Sequence, residues 1–114
     1  MVRLTVTLVA SQKGAGPMLD ALRSLMASTR LERGCLGCVA WGESDDETTL
    51  HYAEEWATEP DIRRRLASDR FTSLLAVMEA AIEPPRVQFD FVTNTRGLDY
   101  VAEVREGNRQ ARRL

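Results

Sequence analysis

The first residues of the chain alternate between apolar and mostly polar side chains, as a β-strand with one buried face does. Residues 2–10 run Val-Arg-Leu-Thr-Val-Thr-Leu-Val-Ala, so apolar positions recur every second residue. Comparable segments at 35–42, 48–57 and 86–93 predict three more strands. The polar residues 44–47 predict a hairpin turn, so the second and third strands are expected to pair antiparallel.

Between these strands, apolar residues recur at helical spacing. The first helix is predicted from Pro17, which suits the first helical position, to the turn at residues 32–34. The second is predicted in two segments, one starting at the cap-like Thr58 and one capped by Ser68, and it ends at residues 83–85. The resulting order, βαββαβ, predicts an α+β, ferredoxin-like fold with a four-stranded antiparallel sheet.

The elements above place residues 1–93 in a single predicted domain and leave residues 94–114 as a C-terminal extension. The apolar spacing at the start of this extension suits a short helix, which we favour, but it would also suit a strand. Residues 107–114 are basic and lack a hydrophobic period, so they predict a frayed tail.

In this arrangement both helices lie on one face of the sheet, and the other face lacks cover. Because the alternation supplies apolar residues to both faces, a second copy of the chain is expected to pack there, sheet against sheet. We therefore predict a homodimer, with Val6 and Phe89 on the dimer face.

Composition narrows the class of protein. At 114 residues, with 44% hydrophobic and 28% charged residues, the chain has the composition of one globular domain. Its 17 acidic and 15 basic side chains give no positive excess, which disfavours nucleic-acid binding. No apolar run approaches the ~20 residues of a membrane span, and the N-terminus lacks the apolar run of a signal peptide. We therefore expect a cytoplasmic protein without a membrane partner.

Two cysteines form a C-x-x-C pair, Cys35 and Cys38. In a strand, three residues of extension separate their Cα atoms by ~10 Å, beyond the ~7 Å limit for a disulfide. No second Cys/His pair accompanies them to complete a metal site. The sequence predicts neither a disulfide nor a bound metal.

Several short motifs follow one another along residues 2–93. They are the glycines at 14 and 16, Gly34-Cys35-Leu36, Glu54-Glu55-Trp56, the break between Leu66 and Phe71, and the segment from Val87 to Phe91. In their order and spacing, the chain resembles the antibiotic biosynthesis monooxygenase family, small dimeric α/β-barrel proteins with a ferredoxin-like fold. The resemblance implies a homodimer, a small aromatic substrate and, as in many members, oxygenation without flavin, haem or metal. No cofactor is therefore expected.

In such a reaction an electron-rich phenol or quinol, once deprotonated, delivers an electron to oxygen itself. The protein supplies a dry pocket, help with the proton and stabilisation of the anion. Histidines that members often carry in the helix after the Glu-x-Trp strand correspond here to Arg65 and Arg70. Arginine is no base at neutral pH, but it pairs with an anionic substrate or an oxyanion. Related haem-degrading enzymes carry an iron-ligating histidine at the position of Leu75 and an asparagine at the position of Thr7. Because this chain has neither residue there, haem is not expected.

The candidate catalytic residues lie on the third strand. His51 is the only histidine and the only ready base near neutral pH. Alternation puts His51 on one face and Tyr52, Glu54 and Trp56 on the other, so His51 and Trp56 should not share a pocket. The resemblance favours the Trp56 face, where Glu54 would act as the base if burial raised its pKa.

Other residues are candidates for substrate contact. Trp41 and Tyr52 would form an aromatic wall, or else pack in the core. Thr7 would offer a polar contact, or be an ordinary strand residue. Two functions therefore stay open: a cofactor-independent monooxygenase of a small aromatic quinol or polyketide-like substrate, and a non-catalytic dimeric module that binds a small molecule or a protein. The missing helix histidines favour the second.

Overall fold

The structure, a computed structural model, describes residues 1–113. Its elements are β1 (Val2–Val9), α1 (Ala15–Arg30), β2 (Cys35–Gly42), β3 (Thr49–Trp56), α2 (Glu59–Ala67), α3 (Phe71–Glu79), β4 (Arg86–Phe91) and α4 (Leu98–Arg113). The four strands form one antiparallel sheet in the order β2-β3-β1-β4. The predicted ferredoxin-like fold is confirmed. No helix among the described residues combines the length and apolarity that crossing a membrane requires.

The core lies between the sheet and the helices α1 to α3. Every second residue of β1 and β3 is buried on this side, because a strand's side chains alternate between its faces. The largest buried side chains there are Trp56, Tyr52, Leu4, Leu8, Leu22, Leu50 and Leu74.

The helix-free face of the sheet differs from the sequence prediction. Val6 is 1% exposed beneath the helices, and Phe89 pairs through its strand with Leu4, so it projects to the same side. Both were predicted on the helix-free face of the sheet, and that placement is wrong. Val6 lies beneath the helices, and Phe89 shares the face of Leu4 because residues opposite each other on paired strands share a face. The helix-free face instead carries polar pairs such as Arg3 and Glu55 at 3.0 Å, with Trp41 towards the β2 edge.

Local hydrogen bonds explain where the helices begin and end. The Thr58 hydroxyl accepts a hydrogen bond from the Asp61 N–H, so Thr58 caps α2 as predicted. Ser68 was predicted to cap α3, and that prediction is wrong. Its hydroxyl donates to the Arg65 carbonyl at 2.7 Å and closes the end of α2, and Arg70 takes the cap position of α3. The resulting turn holds Arg65 and Arg70 at one end of the sheet.

The C-terminal extension is a longer helix than predicted. Helix α4 continues through Arg113, where a frayed tail was expected, and Leu114 lies outside the described residues. Ion pairs from Arg96 to Asp99 and Glu103, at 3.0 and 2.6 Å, support its first turns. Residues 98–112 are all exposed, so the described part of α4 is not covered by the domain.

Both cysteines are free, as predicted. A bulge between Cys35 and Gly37 shifts the register of β2, which places Cys35 opposite Trp56 and Cys38 opposite Glu54 on the helix-covered side. Burial raises the pKa of Cys38 to about 11 and also raises that of Cys35. Both thiols are therefore protonated at neutral pH and are poor nucleophiles.

Candidate functional site

A carboxylate without solvent exposure lies at the centre of the helix-covered side of the sheet. Glu54 is 0% exposed. Its Oε2 accepts a hydrogen bond from the Tyr52 hydroxyl at 2.5 Å, and its Oε1 accepts one from the Trp56 indole N–H at 2.9 Å. The Arg65 guanidinium donates to both oxygens, from Nε at 3.1 Å and from Nη2 at 2.9 Å. Each oxygen of Glu54 therefore already has two donors from the chain itself.

The sequence positions these side chains through two periodicities. Tyr52, Glu54 and Trp56 occupy alternate positions of β3, so all three project towards the helices. Helix α2 buries Ile62 and Arg65, which are three residues apart and lie on one helix face. Strand and helix together bring the cation of α2 against the carboxylate of β3.

Arg65 also connects this cluster to the end of α1. Its Nη2 donates to the Thr29 hydroxyl at 3.4 Å, and its Nη1 lies 3.2 Å from Glu32 Oε2. The guanidinium carbon is 5.3 Å from the centre of the Phe71 ring. Burial alone would lower the pKa of Arg65, but the hydrogen bonds and charge of Glu54 outweigh it and raise that pKa. A permanent cation thus lies between two carboxylates, and its side chain is 2% exposed.

Beside this cluster a groove of ≈ 500 Å³ opens between the end of α1 and the turn from α2 to α3. Trp56, Arg65 and Glu32 line it. Its size falls within the range of about 300–1,000 Å³ that is usual for cavities that bind small molecules. Glu54 is not among the lining residues, because Trp56 and Arg65 enclose it.

Glu32 is the acidic residue of the groove whose carboxylate lies beside Arg65; Asp61 and Asp69 also line the groove. Among the side chains of the described residues, Glu32 Oε2 is the one buried polar atom that lacks a hydrogen-bond partner. The adjacent Arg65 Nη1 attracts it electrostatically without forming an aligned hydrogen bond. An unpaired acceptor of this kind costs free energy unless another donor reaches it.

The turn after α1 forms one wall of the groove through Leu31, Glu32 and Arg33. Gly34 has a φ of 86°, a conformation that favours glycine. A Cβ atom there would lie 2.2 Å from Asp61 Cγ, so the close approach of the two segments also requires glycine. Asp61 in turn pairs with Arg64 at 2.7 Å. Among the residues that line the groove are the exposed arginines Arg33 and Arg70, for which no side-chain hydrogen bond or ion pair occurs among the described residues.

A second cluster lies on the helix-free face of the sheet. His51 Nε2 is 2.7 Å from Glu43 Oε1, and His51 Nδ1 is 3.4 Å from the Thr7 hydroxyl. The Trp41 ring stacks on the imidazole, with 5.1 Å between the ring centres. Because β-strand faces alternate, this cluster and the Glu54 cluster are on opposite sides of the sheet.

The predicted site residues therefore divide into two groups. Glu54, Trp56, Tyr52 and Arg65 come together beneath the helices, whereas Thr7, Trp41 and His51 meet on the other face. The predicted aromatic wall of Trp41 and Tyr52 does not form, because Trp41 lies opposite His51 and therefore on the other face of the sheet from Tyr52. Tyr52 packs in the core, which was the alternative.

The sequence did not identify two further residues that belong to these two clusters. Glu43 and Glu32 occupy a loop and a turn, where acidic residues are common, and neither belongs to a periodic pattern. Their significance depends on contacts with residues far along the chain: Glu32 meets Arg65, and Glu43 meets His51. Spacing alone contains no signal for such contacts.

Known proteins share this architecture. A sequence model described as antibiotic biosynthesis monooxygenase matches residues 1–76. The structure is similar to that of a candidate antibiotic biosynthesis monooxygenase from Deinococcus radiodurans, with 19% identity, a TM-score of 0.75, and coverage of 85% of this chain and 97% of that one. It is also similar to Rv0793 from Mycobacterium tuberculosis, at 15% identity, a TM-score of 0.72, and coverage of 84% and 98%. No curated protein sequence matches the chain.

Proposed function

The chain belongs to the antibiotic biosynthesis monooxygenase family, and on that premise we propose that it oxygenates a small aromatic quinol bound in the groove beside Trp56, without a cofactor. The observation that carries this proposal is the pair of Glu32 and Arg65 in that groove, since Glu32 Oε2 lacks a donor and Arg65 is a buried cation. A phenolic hydroxyl would supply the missing donor.

The two side chains have complementary roles in the proposed reaction. Glu32 accepts the hydroxyl hydrogen bond and then the proton, while the Arg65 guanidinium stabilises the phenolate that forms. A nearby cation lowers the pKa of a bound phenol, so both groups favour the same step. Glu54 holds Arg65 and Trp56 in place, and in this proposal it is a positioning residue instead of the base expected from the sequence.

The substrate itself supplies the electrons for oxygen. A ring carbon that bears hydrogen, ortho to the phenolate, forms a bond to one atom of dioxygen, and the resulting hydroperoxide loses water to leave a new carbonyl. One oxygen atom enters the product and the other leaves as water, so a quinol and dioxygen give a hydroxyquinone and water. The balance requires no external reductant.

Basic residues at the groove suggest a preference among aromatic substrates. Arg33 and Arg70 are exposed beside it and have no ion-pair partner among the described residues. Guanidinium groups bind carboxylates through paired hydrogen bonds. We propose that the preferred quinol carries a carboxylate that reaches Arg70, which makes the change from histidine to arginine at this position a change in substrate recognition.

Oxygen uptake with hydroquinones and naphthols in metal-free buffer tests the activity. We expect uptake above the rate without protein, and a loss of roughly 100-fold or more in kcat for Glu32→Gln, the usual range for a removed proton acceptor. Glu47→Gln changes an exposed acid of the β2–β3 hairpin, at the other end of the sheet, and should leave the rate unchanged. Binding without uptake would instead support the non-catalytic binding module.

We further propose that the chain acts as a homodimer, as members of this family typically do. Val39 and Trp41, on the helix-free side of β2, are 49% and 43% exposed, and a second sheet would cover them. Light scattering at micromolar concentration should give twice the chain's mass. A monomer's mass would contradict the proposal.

A further inference from the structure

Besides Val39 and Trp41, two further apolar surfaces of the described residues have no partner in the domain. One is on α4, where Leu98 is 82% exposed and Val101 is 49% exposed. The other is the α2–β4 groove, a depression of ≈ 340 Å³ lined by Glu59, Ile62, Arg63, Leu66, Phe89 and Phe91. Exposed apolar areas of this kind usually mark interfaces.

The α2–β4 groove exists because the helices do not reach the edge of the sheet. Phe89 and Phe91 lie opposite Leu4 and Val2, so they project to the helix-covered side. Leu4 and Val2 are at most 2% exposed, yet Phe89 is 37% and Phe91 is 59% exposed. The core layer is therefore continuous beneath the sheet but uncovered at β4.

Helix α4 matches the groove in length and pattern. Leu98, Val101, Ala102 and Arg105 follow helical spacing and lie on one face. From Leu98 to Arg105 this stripe spans about 10.5 Å at the rise of an α-helix. The wall of the groove from Glu59 to Leu66 has the same number of residues and the same span of about 10.5 Å.

Charge selects one direction of packing. When α4 runs antiparallel to α2, Arg105 lies beside Glu59 and Leu98 lies beside Leu66. The arginine then meets Glu59, the acidic residue that lines this groove, in the first turn of α2. The parallel direction would place Arg105 beside Leu66, away from Glu59, the one acidic residue of the groove lining.

We propose that α4 of one copy occupies the α2–β4 groove of a second copy, and that the exchange is reciprocal about a two-fold axis. Residues 92–97 join α4 to β4. Because this linker is short, a contact between α4 and the groove of its own chain would have an effective concentration in the millimolar range. Nevertheless α4 lies away from its own groove, with residues 98–112 exposed, so the connection does not favour a fold-back contact. A closed two-fold pair covers both stripes and both grooves at once.

This inference rests on the proposed homodimer and adds the surfaces that hold it together. It concerns a part of the chain that the family match does not include, since that match ends at residue 76. It does not depend on the proposed oxygenation.

Disulfide trapping tests the exchange directly in the full chain. Phe91→Cys combined with Val101→Cys should give, on mild oxidation, a species of dimer mass on non-reducing gels. Phe91→Cys combined with Gln110→Cys is the matched control, because Gln110 lies on the opposite face of α4. A disulfide within the monomer would overturn the proposal in favour of a fold-back helix, and no disulfide would also overturn it.

Charge reversal provides a second measurement that does not alter the apolar contacts. Arg105→Glu should raise the dissociation constant of the dimer at least tenfold in analytical ultracentrifugation, and adding Glu59→Arg should restore it. If the wild type is dimeric and Arg105→Glu leaves the dissociation constant unchanged, the exchange of α4 is wrong although the homodimer is right. If the wild type is monomeric, both proposals are wrong.

Discussion

Replacing Glu54 with glutamine removes the charge that balances Arg65 inside the protein. Four donors point at this carboxylate, from Tyr52, Trp56 and two atoms of Arg65, at 2.5 to 3.1 Å. A glutamine accepts at one oxygen, and its NH₂ group would face donors at the other position. Arg65, with its side chain 2% exposed, would keep Glu32 as its remaining carboxylate, at 3.2 Å and without an aligned hydrogen bond.

Removing one partner of a buried ion pair typically costs about 3–5 kcal/mol, because the other charge remains buried. For a domain of this size, such a loss corresponds to a fall in Tm of about 10–20 °C. Urea unfolding followed by circular dichroism measures the free energy difference, and a scan of the same sample measures Tm.

The neighbouring residue provides a matched control. Glu55 also pairs with an arginine, Arg3, at 3.0 Å, but it lies on the other face of the sheet and the two side chains are 38% and 43% exposed. Exposed pairs contribute about 0–1 kcal/mol, so Glu55→Gln should have little effect on stability. If Glu54→Gln cost no more than Glu55→Gln, the Glu54 cluster would not be the stabilising centre inferred from the structure.

Three other predictions address the groove and the thiols. Trp56→Phe should lower stability by about 1–3 kcal/mol through the lost hydrogen bond to Glu54, and should also weaken quinol binding in a fluorescence titration; unchanged affinity would make Trp56 a core residue only. Arg70→Gln should raise KM for a carboxylated quinol several-fold but not for its neutral analogue, and equal effects on both would exclude carboxylate recognition. Burial raises the pKa of Cys38 from 9.0 to about 11, so the stability due to the protonated thiol is complete below pH 9 and falls as pH rises towards 11. Cys38→Ala should therefore reduce the loss of unfolding free energy between pH 9 and pH 11, measured by urea unfolding. An unchanged dependence of that free energy on pH would contradict the raised pKa of Cys38.

The fold was accessible from the sequence because its main signals are local. Alternation in residues 2–10 and 48–57, helical spacing and the Thr58 cap each depend on neighbours within a few positions. The same alternation separated His51 from Trp56 correctly. It could not say which face of the sheet the helices cover, and for this reason Val6 was assigned to the wrong side.

The candidate site was less accessible because it depends on contacts between distant segments. The sequence identified Glu54, Trp56 and Arg65 but not that Arg65 reaches back to saturate Glu54. Glu32 is 33 residues before Arg65, in a turn whose composition indicates only a helix end. The length of α4 also differed. Ion pairs of Arg96 with Asp99 and Glu103 support its first turns, and the helix continues past its apolar stripe into residues that lack a hydrophobic period.

The central claim is that the groove beside Trp56 adds one atom of dioxygen to an aromatic quinol with Glu32 as the proton acceptor. The most direct test is turnover of a quinol under isotopically labelled dioxygen, with mass spectrometry of the product, for the wild type and for Glu32→Gln. We predict that the wild-type product contains one labelled oxygen atom and that Glu32→Gln forms it at least about 100-fold more slowly. A product without label, or equal rates for the two proteins, would contradict the claim.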